Sequence, residues 1–291
     1  MYYFIFNPAA GAGRSKKALS AVKEYCKLKE IEYELSHSEY PGHAVELAKQ
    51  AVGKGYEGII SIGGDGTILE IAQALRNTDE KLGIIPAGTG NDFKIAVGIP
   101  QETEKALDII FSGNTKCIDI GLLNNEKCFL NIAGTGFDVD VVKNMNKVRR
   151  FFTGGAAYYL GIVMSLFGYK NAQLELNIDG KIIKRTVLLI AAANGQCYGG
   201  GLFVNPKADL TNGKLTFVII NKIAKIRILL ELPKLQKAHP EQIKELEQFF
   251  CNEITIKSDR DLTFNVDGDI YGQTPMNIKI LKKSLNVFCP V

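Results

Sequence analysis

The chain is poor in the groups from which many enzymes and binding modules are built. Its three histidines, His37, His43 and His239, have no paired spacing that would suit zinc. Its six cysteines, at 26, 117, 128, 197, 251 and 289, form no C-x-x-C pair, which excludes a zinc ribbon and a thioredoxin-type redox site and predicts free thiols in a reducing cytosol. No G-x-x-x-x-G-K-[ST] and no G-x-S-x-G occur, and Lys16 stands where a dinucleotide fingerprint starting at Gly11-Ala12-Gly13 needs its third glycine. A net charge of +4 over 291 residues falls well short of a dedicated basic face, so no nucleic-acid partner is expected. That mild excess suits anionic phosphates or a negatively charged membrane surface. Residues 1–6 are apolar but run into Asn7-Pro8, too short for a signal-peptide core. Between Arg150 and Lys170 lie 19 uncharged residues, interrupted by Thr153, Gly154, Gly155, Gly161, Ser165 and Gly168. A buried or cleft-lining helix over 156–167 is expected there rather than a membrane span.

What is present is a change of pattern along the chain. The first third predicts strands over 2–6, 33–36, 58–62 and 82–85, alternating with helices over 15–28, 43–52, 67–76, 92–97 and 101–111. Such alternation implies an α/β domain with a mostly parallel sheet and helices on both faces. From about residue 115 the pattern predicts strands over 115–123, 127–133, 173–178, 182–193, 214–221, 253–257, 262–266, 276–281 and 285–288. Asp179-Gly180 marks a hairpin turn, and helices are expected over 223–237 and 241–250. Strands joined by hairpins indicate an antiparallel β-sandwich. The boundary is placed near 116–119, giving a nucleotide-binding domain over 1–117, completed by 286–291, and a β-rich substrate domain over 118–285.

The chemistry concentrates where strands meet glycines. Gly63-Gly64-Asp65-Gly66-Thr67 follows an apolar strand and opens a helix. Glycines leave backbone N–H groups uncovered, and a helix N-terminus adds its dipole, so the turn suits a phosphate. A carboxylate at Asp65 fits such a place only if a cation such as Mg²⁺ lies between it and the phosphates. The competing reading is a tight turn with a helix cap. The next strand ends in Pro86-Ala87-Gly88-Thr89-Gly90-Asn91-Asp92, and the first in Asn7-Pro8-Ala9-Ala10-Gly11. In an open parallel sheet these ends share the carboxyl edge, where ligands bind. Thr89 can donate to a phosphate, and Asp92 either holds metal through water or caps the helix behind it.

These motifs, with Asn194-Gly195, Gly199-Gly200-Gly201, Pro206-x-Ala208 and Asp267-Gly268-Asp269, resemble those of the diacylglycerol kinase catalytic-domain family of bacterial lipid kinases, relatives of the sphingosine kinases. The resemblance spans nearly the whole chain. It implies a nucleotide domain followed by a β-sandwich with the active site between them, and an ATP- and Mg²⁺-dependent transfer of phosphate to a lipid hydroxyl, that of diacylglycerol or a similar lipid. Carried over by position, Asn7, Pro8, Ala9, Ala10, Gly11, Gly63, Gly64, Asp65, Gly66, Thr67, Ile68, Leu69 and Thr89 contact ATP, with Ser38 as a further polar contact. Asp65 and Asp92 organise Mg²⁺, and Asp267 with Asp269 forms the catalytic acidic pair. The family usually has Glu where Asp269 stands, which leaves open which of the two is the base. Asp267-Gly268 also reads as a plain hairpin turn. Asp209, Asn212 and Lys214 correspond to a structural Mg²⁺ loop, but the family places Asp at 212, so a weak site or a simple Asn212-Gly213 turn is expected. The resemblance also implies a role in lipid metabolism and phospholipid biosynthesis, in the cytoplasm at the membrane periphery.

For the lipid itself, Phe151, Phe152, Tyr158, Tyr159, Leu160, Ile162, Val163, Met164, Leu166 and Phe167 supply apolar area for an acyl channel, or equally for ordinary core. Lys143, Lys147, Arg149 and Arg150, and separately Lys222, Lys225, Arg227, Lys234 and Lys237, form basic groups for an anionic lipid surface or a solvated face. Two other functions fit the glycine turns: a kinase acting on NAD, whose family shares Gly-Gly-Asp-Gly-Thr, and a non-catalytic nucleotide-binding regulator. The oligomeric state is open, a homodimer included.

Overall fold

The computed structural model describes residues 1–148, 152, 155–178 and 180–291. Arg149, Arg150, Phe151, Thr153, Gly154 and the Asp179 half of the expected hairpin turn lie outside the described residues. The chain divides into two compact units, Met1–Ile120 with Lys282–Val291, and Gly121–Leu281. The first cut falls after Ile120 rather than 117 and the return at Lys282 rather than 286, because the strands there run on without a break.

The first unit contains β1 (Tyr2–Phe6), α1 (Arg14–Leu28), β2 (Tyr33–His37), α2 (His43–Ala51), β3 (Ile59–Gly63), α3 (Asp65–Leu75), β4 (Lys81–Pro86), the short α4 (Phe93–Ala96), α5 (Thr103–Phe111) and most of β5 (Thr115–Leu123). β1 pairs in parallel with β2 and β3, and β3 with β4. Residues 286 and 287 add the last parallel strand, opposite Lys81 and Leu82. Every residue of β3 is buried, as expected for a strand covered on both faces. Its side chains meet Phe4, Phe6, Val22, Ile85, Leu107, Ile110 and Phe288 in one core. Because all these strands run the same way, their C-terminal ends and the loops that follow share one edge.

The second unit holds β6 (Lys127–Phe129), β7 (Ile132–Gly136), α6 (Phe137–Val148), α7 (Gly155–Gly168), β8 (Ala172–Ile178), β9 (Lys181–Ala193), β10 (Cys197–Tyr198), β11 (Leu202–Phe203), β12 (Leu215–Asn221), α8 (Lys225–Gln236), β13 (Leu246–Cys251), β14 (Glu253–Ser258), β15 (Thr263–Val266), β16 (Asp269–Gln273) and most of β17 (Met276–Phe288). All pairings inside it are antiparallel. β9 joins β8 along its first half and β7 and β12 along its second, while β14 bridges β8 and β17. One core fills the sandwich around Phe129, Phe217, Phe264 and Met276. A second lies under α6, α7 and α8, around Phe137, Tyr158, Leu189, Val218 and Leu232.

Three local expectations are corrected here. Residues 241–250 do not form a helix: a 3₁₀ turn (Pro240–Gln242) precedes strand β13. The apolar spacing of Ile243, Leu246 and Phe249 imitates a helix, but β12 offers a free edge, and Leu215 to Ile220 pair with Cys251 to Leu246. The rings of Phe217 and Phe249 stack across that pair with centroids 5.5 Å apart. The single strand expected over 127–133 breaks into β6 and β7 at Leu130-Asn131. The two strands expected over 276–281 and 285–288 are one, β17, with a left-handed residue at Lys283 (φ 47°) whose amide donates to Asp119 Oδ1 at 2.8 Å. Helix α6 and the edge strand β16 were not foreseen at all.

Helix α7 has 14 residues, about 21 Å of rise and short of the ~30 Å hydrocarbon layer. Among the described residues no helix is long and apolar enough to cross a membrane.

Candidate active site

At the loop edge of the first unit three turns interlock. A Cβ on Gly88 would lie 2.4 Å from the Cα of Gly64, and one on Gly63 would lie 2.6 Å from Thr67 Oγ1. Gly11 has φ +65°, and a Cβ there would stand 1.9 Å from the Ala87 carbonyl. These glycines are therefore demanded by close backbone approach, which a simple turn does not require. Polar side chains fix the same arrangement. Asn7 Nδ2 donates to Thr67 Oγ1 at 3.0 Å, and the buried Asn91 accepts from Gly88 N and donates to Gln101, which in turn donates to the Pro86 carbonyl. Gln101 had no motif to mark it. We expect Gly88→Ala to cost about 2 kcal/mol from overpacking, read as a lower midpoint of thermal unfolding; an unchanged midpoint would mean that the loops yield freely.

The donors that remain define what this edge can bind. Gly64 is the N-cap of α3 and carries no side chain, so the amides of Asp65, Gly66 and Thr67 open the helix without a side-chain cap. A Cβ on Gly66 would meet nothing within 4 Å, which leaves room for a ligand directly over the helix end. Gly11, Ala12 and Gly13 follow one another in the left-handed region (φ 65°, 51° and 97°), in the turn that meets the Ala87 carbonyl. The other expected contact residues are engaged within the protein: Ile68 and Leu69 are buried, and the Ile68 amide is bound to the Gly64 carbonyl. The amides of Ala9 and Ala10 are taken by Asn7. Ser38 is buried with its amide on the Phe6 carbonyl at 2.9 Å, and its hydroxyl reaches the same oxygen at 3.5 Å.

Asp65 uses both oxygens to cap α4: Oδ1 accepts from Phe93 N at 3.1 Å and Oδ2 from Asp92 N at 3.2 Å. The cap brings the two acids together. A Cβ at Gly90 would lie 3.2 Å from Asp65 Oδ2 and 3.7 Å from Asp92 Oδ2, so both carboxylates flank that glycine, beside the exposed Thr89. Among the described residues no group of three or more His, Cys, Asp or Glu makes a protein cage for metal. Two hard oxygen donors beside an exposed loop are of the kind that Mg²⁺ takes together with phosphate and water. The residues thus fit the ion.

In the second unit the acidic pair separates into two different environments. Asp267 and Gly268 are the loop residues of a two-residue hairpin between β15 and β16, both with positive φ (48° and 100°). The Asp267 carboxylate accepts from the amides of Leu130 (2.6 Å), Asn131 (3.0 Å) and Ile132 (2.8 Å), which is what breaks the strand between β6 and β7. These three contacts make Asp267 an anchor of the loop between β6 and β7. The Asp269 side chain is 65% exposed, with Lys127 Nζ 3.8 Å away. At the loop of Asp209, Asn212 and Lys214 the side chains form turns. Asp209 Oδ1 accepts from the amide and hydroxyl of Thr211, and Asn212 Oδ1 from the Lys214 amide at 2.9 Å, so these oxygens close turns of their own loop.

A small apolar cavity of about 50 Å³, partly open to solvent, lies beneath the helices of the same unit. Phe137 and Val141 of α6, Tyr158 and Ile162 of α7, Leu188 and Leu189 of β9, and Ile228 and Leu232 of α8 are among its walls. Of the α7 residues expected to line a channel, only Tyr158 and Ile162 do so. Tyr159, Val163, Met164 and Phe167 are exposed, as is Phe152, and on α8 so are Ile226 and Leu230. In the second basic group, Arg227 pairs with Glu231 and Glu245 and Lys234 with Glu231, while Lys222, Lys225 and Lys237 are exposed.

A parallel α/β unit with an anion-binding edge and two acids, followed by an antiparallel sandwich, defines a class of phosphotransferase folds, and comparison with known proteins agrees. Residues 1–123 match the Diacylglycerol kinase catalytic domain, and residues 131–289 the YegS C-terminal NAD kinase beta sandwich-like domain. The diacylglycerol kinase of Staphylococcus aureus (strain MRSA252) is 32% identical over 98% of this chain and 91% of its own length. That of Staphylococcus carnosus (strain TM300) is 30% identical over 98% and 94%. A crystal structure of a diacylglycerol kinase from Bacillus anthracis (strain Sterne) superposes with a TM-score of 0.80 at 23% identity, covering 99% of this chain and 96% of the other, which establishes the shared fold. The chain belongs to the diacylglycerol kinase family.

Proposed function

We propose that this protein is a lipid kinase that transfers the γ-phosphoryl group of ATP, with Mg²⁺, to the hydroxyl of diacylglycerol or a similar lipid. The observation that carries the reading is the pair Asp65 and Asp92 flanking Gly90 beside the uncapped start of α3. Phosphate oxygens are bound by the amides of Asp65 to Thr67 and of the Gly11–Gly13 run, while Asp65 and Asp92 hold the cation. The bound ion supplies charge neutralisation on the transferring phosphoryl. Asp269, exposed and free of the amide contacts that hold Asp267, accepts the hydroxyl proton. The apolar cavity takes hydrocarbon of the lipid. The exposed Phe167, Ile226 and Leu230, with Lys222, Lys225 and Lys237, suit peripheral docking on an anionic membrane from the cytoplasmic side. The product would enter phospholipid biosynthesis.

The test is incubation with labelled ATP and Mg²⁺ in the presence of diacylglycerol, NAD or a total lipid extract, followed by mass spectrometry. Labelled phosphatidate, abolished by chelation of Mg²⁺, is the expected product. Label on NAD instead would replace this reading, and tight ATP binding with no product across the extract would make the chain a nucleotide-binding regulator.

A further inference from the structure

The cavity of the second unit contains a group that hydrocarbon does not need. Asp138, in the first turn of α6, is 3% exposed and lines the cavity with apolar neighbours. Its Oδ2 accepts a long hydrogen bond, 3.4 Å, from Asn265 Nδ2, and its Oδ1 is buried with no hydrogen-bond partner. Asn265 is itself held, because its Oδ1 accepts from the amide of Gly268 in the acidic turn at 3.0 Å. A Cβ at Gly134 would come 2.8 Å from Asp138 Oδ2, so that glycine keeps room for the acid.

Leaving a buried carboxyl oxygen unbonded costs about 1–3 kcal/mol, so it is unfavourable unless something fills the place. Burial pushes the Asp138 acid up to about 7, against the pull of Asn265 and of the amides of Val139 and of Asp138 itself. Among the described residues of the cavity wall there is no Lys or Arg to neutralise it. Glu231, the other acid there, is paired with Arg227 and Lys234, which hold it below its ordinary range. Tyr198, whose hydroxyl bonds that of Tyr158, stays neutral because burial raises it well above its usual value. Asp140, one turn position on, adds a like charge that further disfavours ionisation. Raised to about 7, the acid holds its proton part of the time at neutral pH; in that form it is a hydrogen-bond donor, whose natural partner in an otherwise apolar cavity is a carbonyl oxygen.

We propose that Asp138 is a specificity group of the lipid cavity, donating from its unpartnered oxygen to the ester carbonyl of an acyl chain bound there. The inference rests on the lipid reading above, but selects within it: ester-linked chains are favoured over ether-linked ones of the same length. Asn265 keeps the acid oriented from the other oxygen.

The test compares dioleoylglycerol with its dialkyl ether analogue, which lacks both carbonyls, as competitors of a fluorescent diacylglycerol in detergent micelles. Loss of one such hydrogen bond is worth about tenfold in affinity, so the full-length protein should prefer the ester by ~10-fold. Asp138→Leu should bring the ratio close to one, whereas Asp138→Asn, whose amide still donates, should keep most of the preference. A purely structural role for Asp138 would weaken both lipids alike and leave their ratio unchanged. Equal binding of ester and ether to the unmodified protein, or binding of neither, overturns the proposal without reference to any variant. Ester preference without phosphoryl transfer would remove the kinase reading and leave this one standing. Transfer with no preference would do the reverse.

Discussion

Asp65→Asn is expected to lower ATP-dependent lipid phosphorylation by about 10²–10³-fold, the range seen when one preorganised electrostatic contact to a reacting centre is removed. The fold should survive the change. Asparagine retains one oxygen for the amides of Asp92 and Phe93, so part of the α4 cap persists. What is lost is one of the two negative charges that flank Gly90 and oppose the ion's charge. The Mg²⁺ concentration needed for half-maximal rate should rise at the same time, since the remaining carboxylate holds the ion less tightly. Rates and thermal midpoints measured side by side decide the matter. Turnover close to that of the unmodified protein would show that Asp65 is a helix cap and nothing more.

The acidic turn predicts a second contrast between neighbours two residues apart. Asp269→Asn should reduce kcat by about 10²–10⁴-fold, as for removal of a general base, with the thermal midpoint unchanged because the side chain stands in solvent. Asp267→Asn should act mainly on stability. Its carboxylate serves three backbone amides, and an amide group in its place turns N–H toward N–H, at a cost of about 3 kcal/mol. For a unit of this size that is roughly a 10 °C fall in midpoint. If the two variants exchange these signatures, the base is Asp267 and the assignment made here is wrong.

These contrasts also show what the sequence conveys and what it hides. The first unit was readable because β1, β3 and β4 are largely buried and so appear as apolar runs, each followed by a turn that contains glycine. The meeting of Asp65 with Asp92 followed from parallel strands sharing one edge. The cap that joins them did not, since nothing in the pattern says which side chain reaches which amide. In the second unit, residues 241–250 have helical spacing, yet a free edge on β12 decided their fate, and local spacing carries no record of a partner strand. Asp267 and Asp269 could not be ranked for the same reason: the amides that occupy Asp267 belong to Leu130, Asn131 and Ile132, far back in the chain. Asp138 was silent because no element was expected over 137–148, and only the packing of α6 shows that its acid faces inward.

The return of the chain at Lys282 bears on how the protein is made. Asn286 and Val287 supply the strand beside β4, and Phe288 lies where a side chain on Gly58 would have to be, 2.5 Å away. A ribosome that has released the first 120 residues has therefore not yet released a complete nucleotide unit, whose edge stays open until residues 286–288 follow. A stop before Asn286 would strike the beginning of the fold as hard as its end.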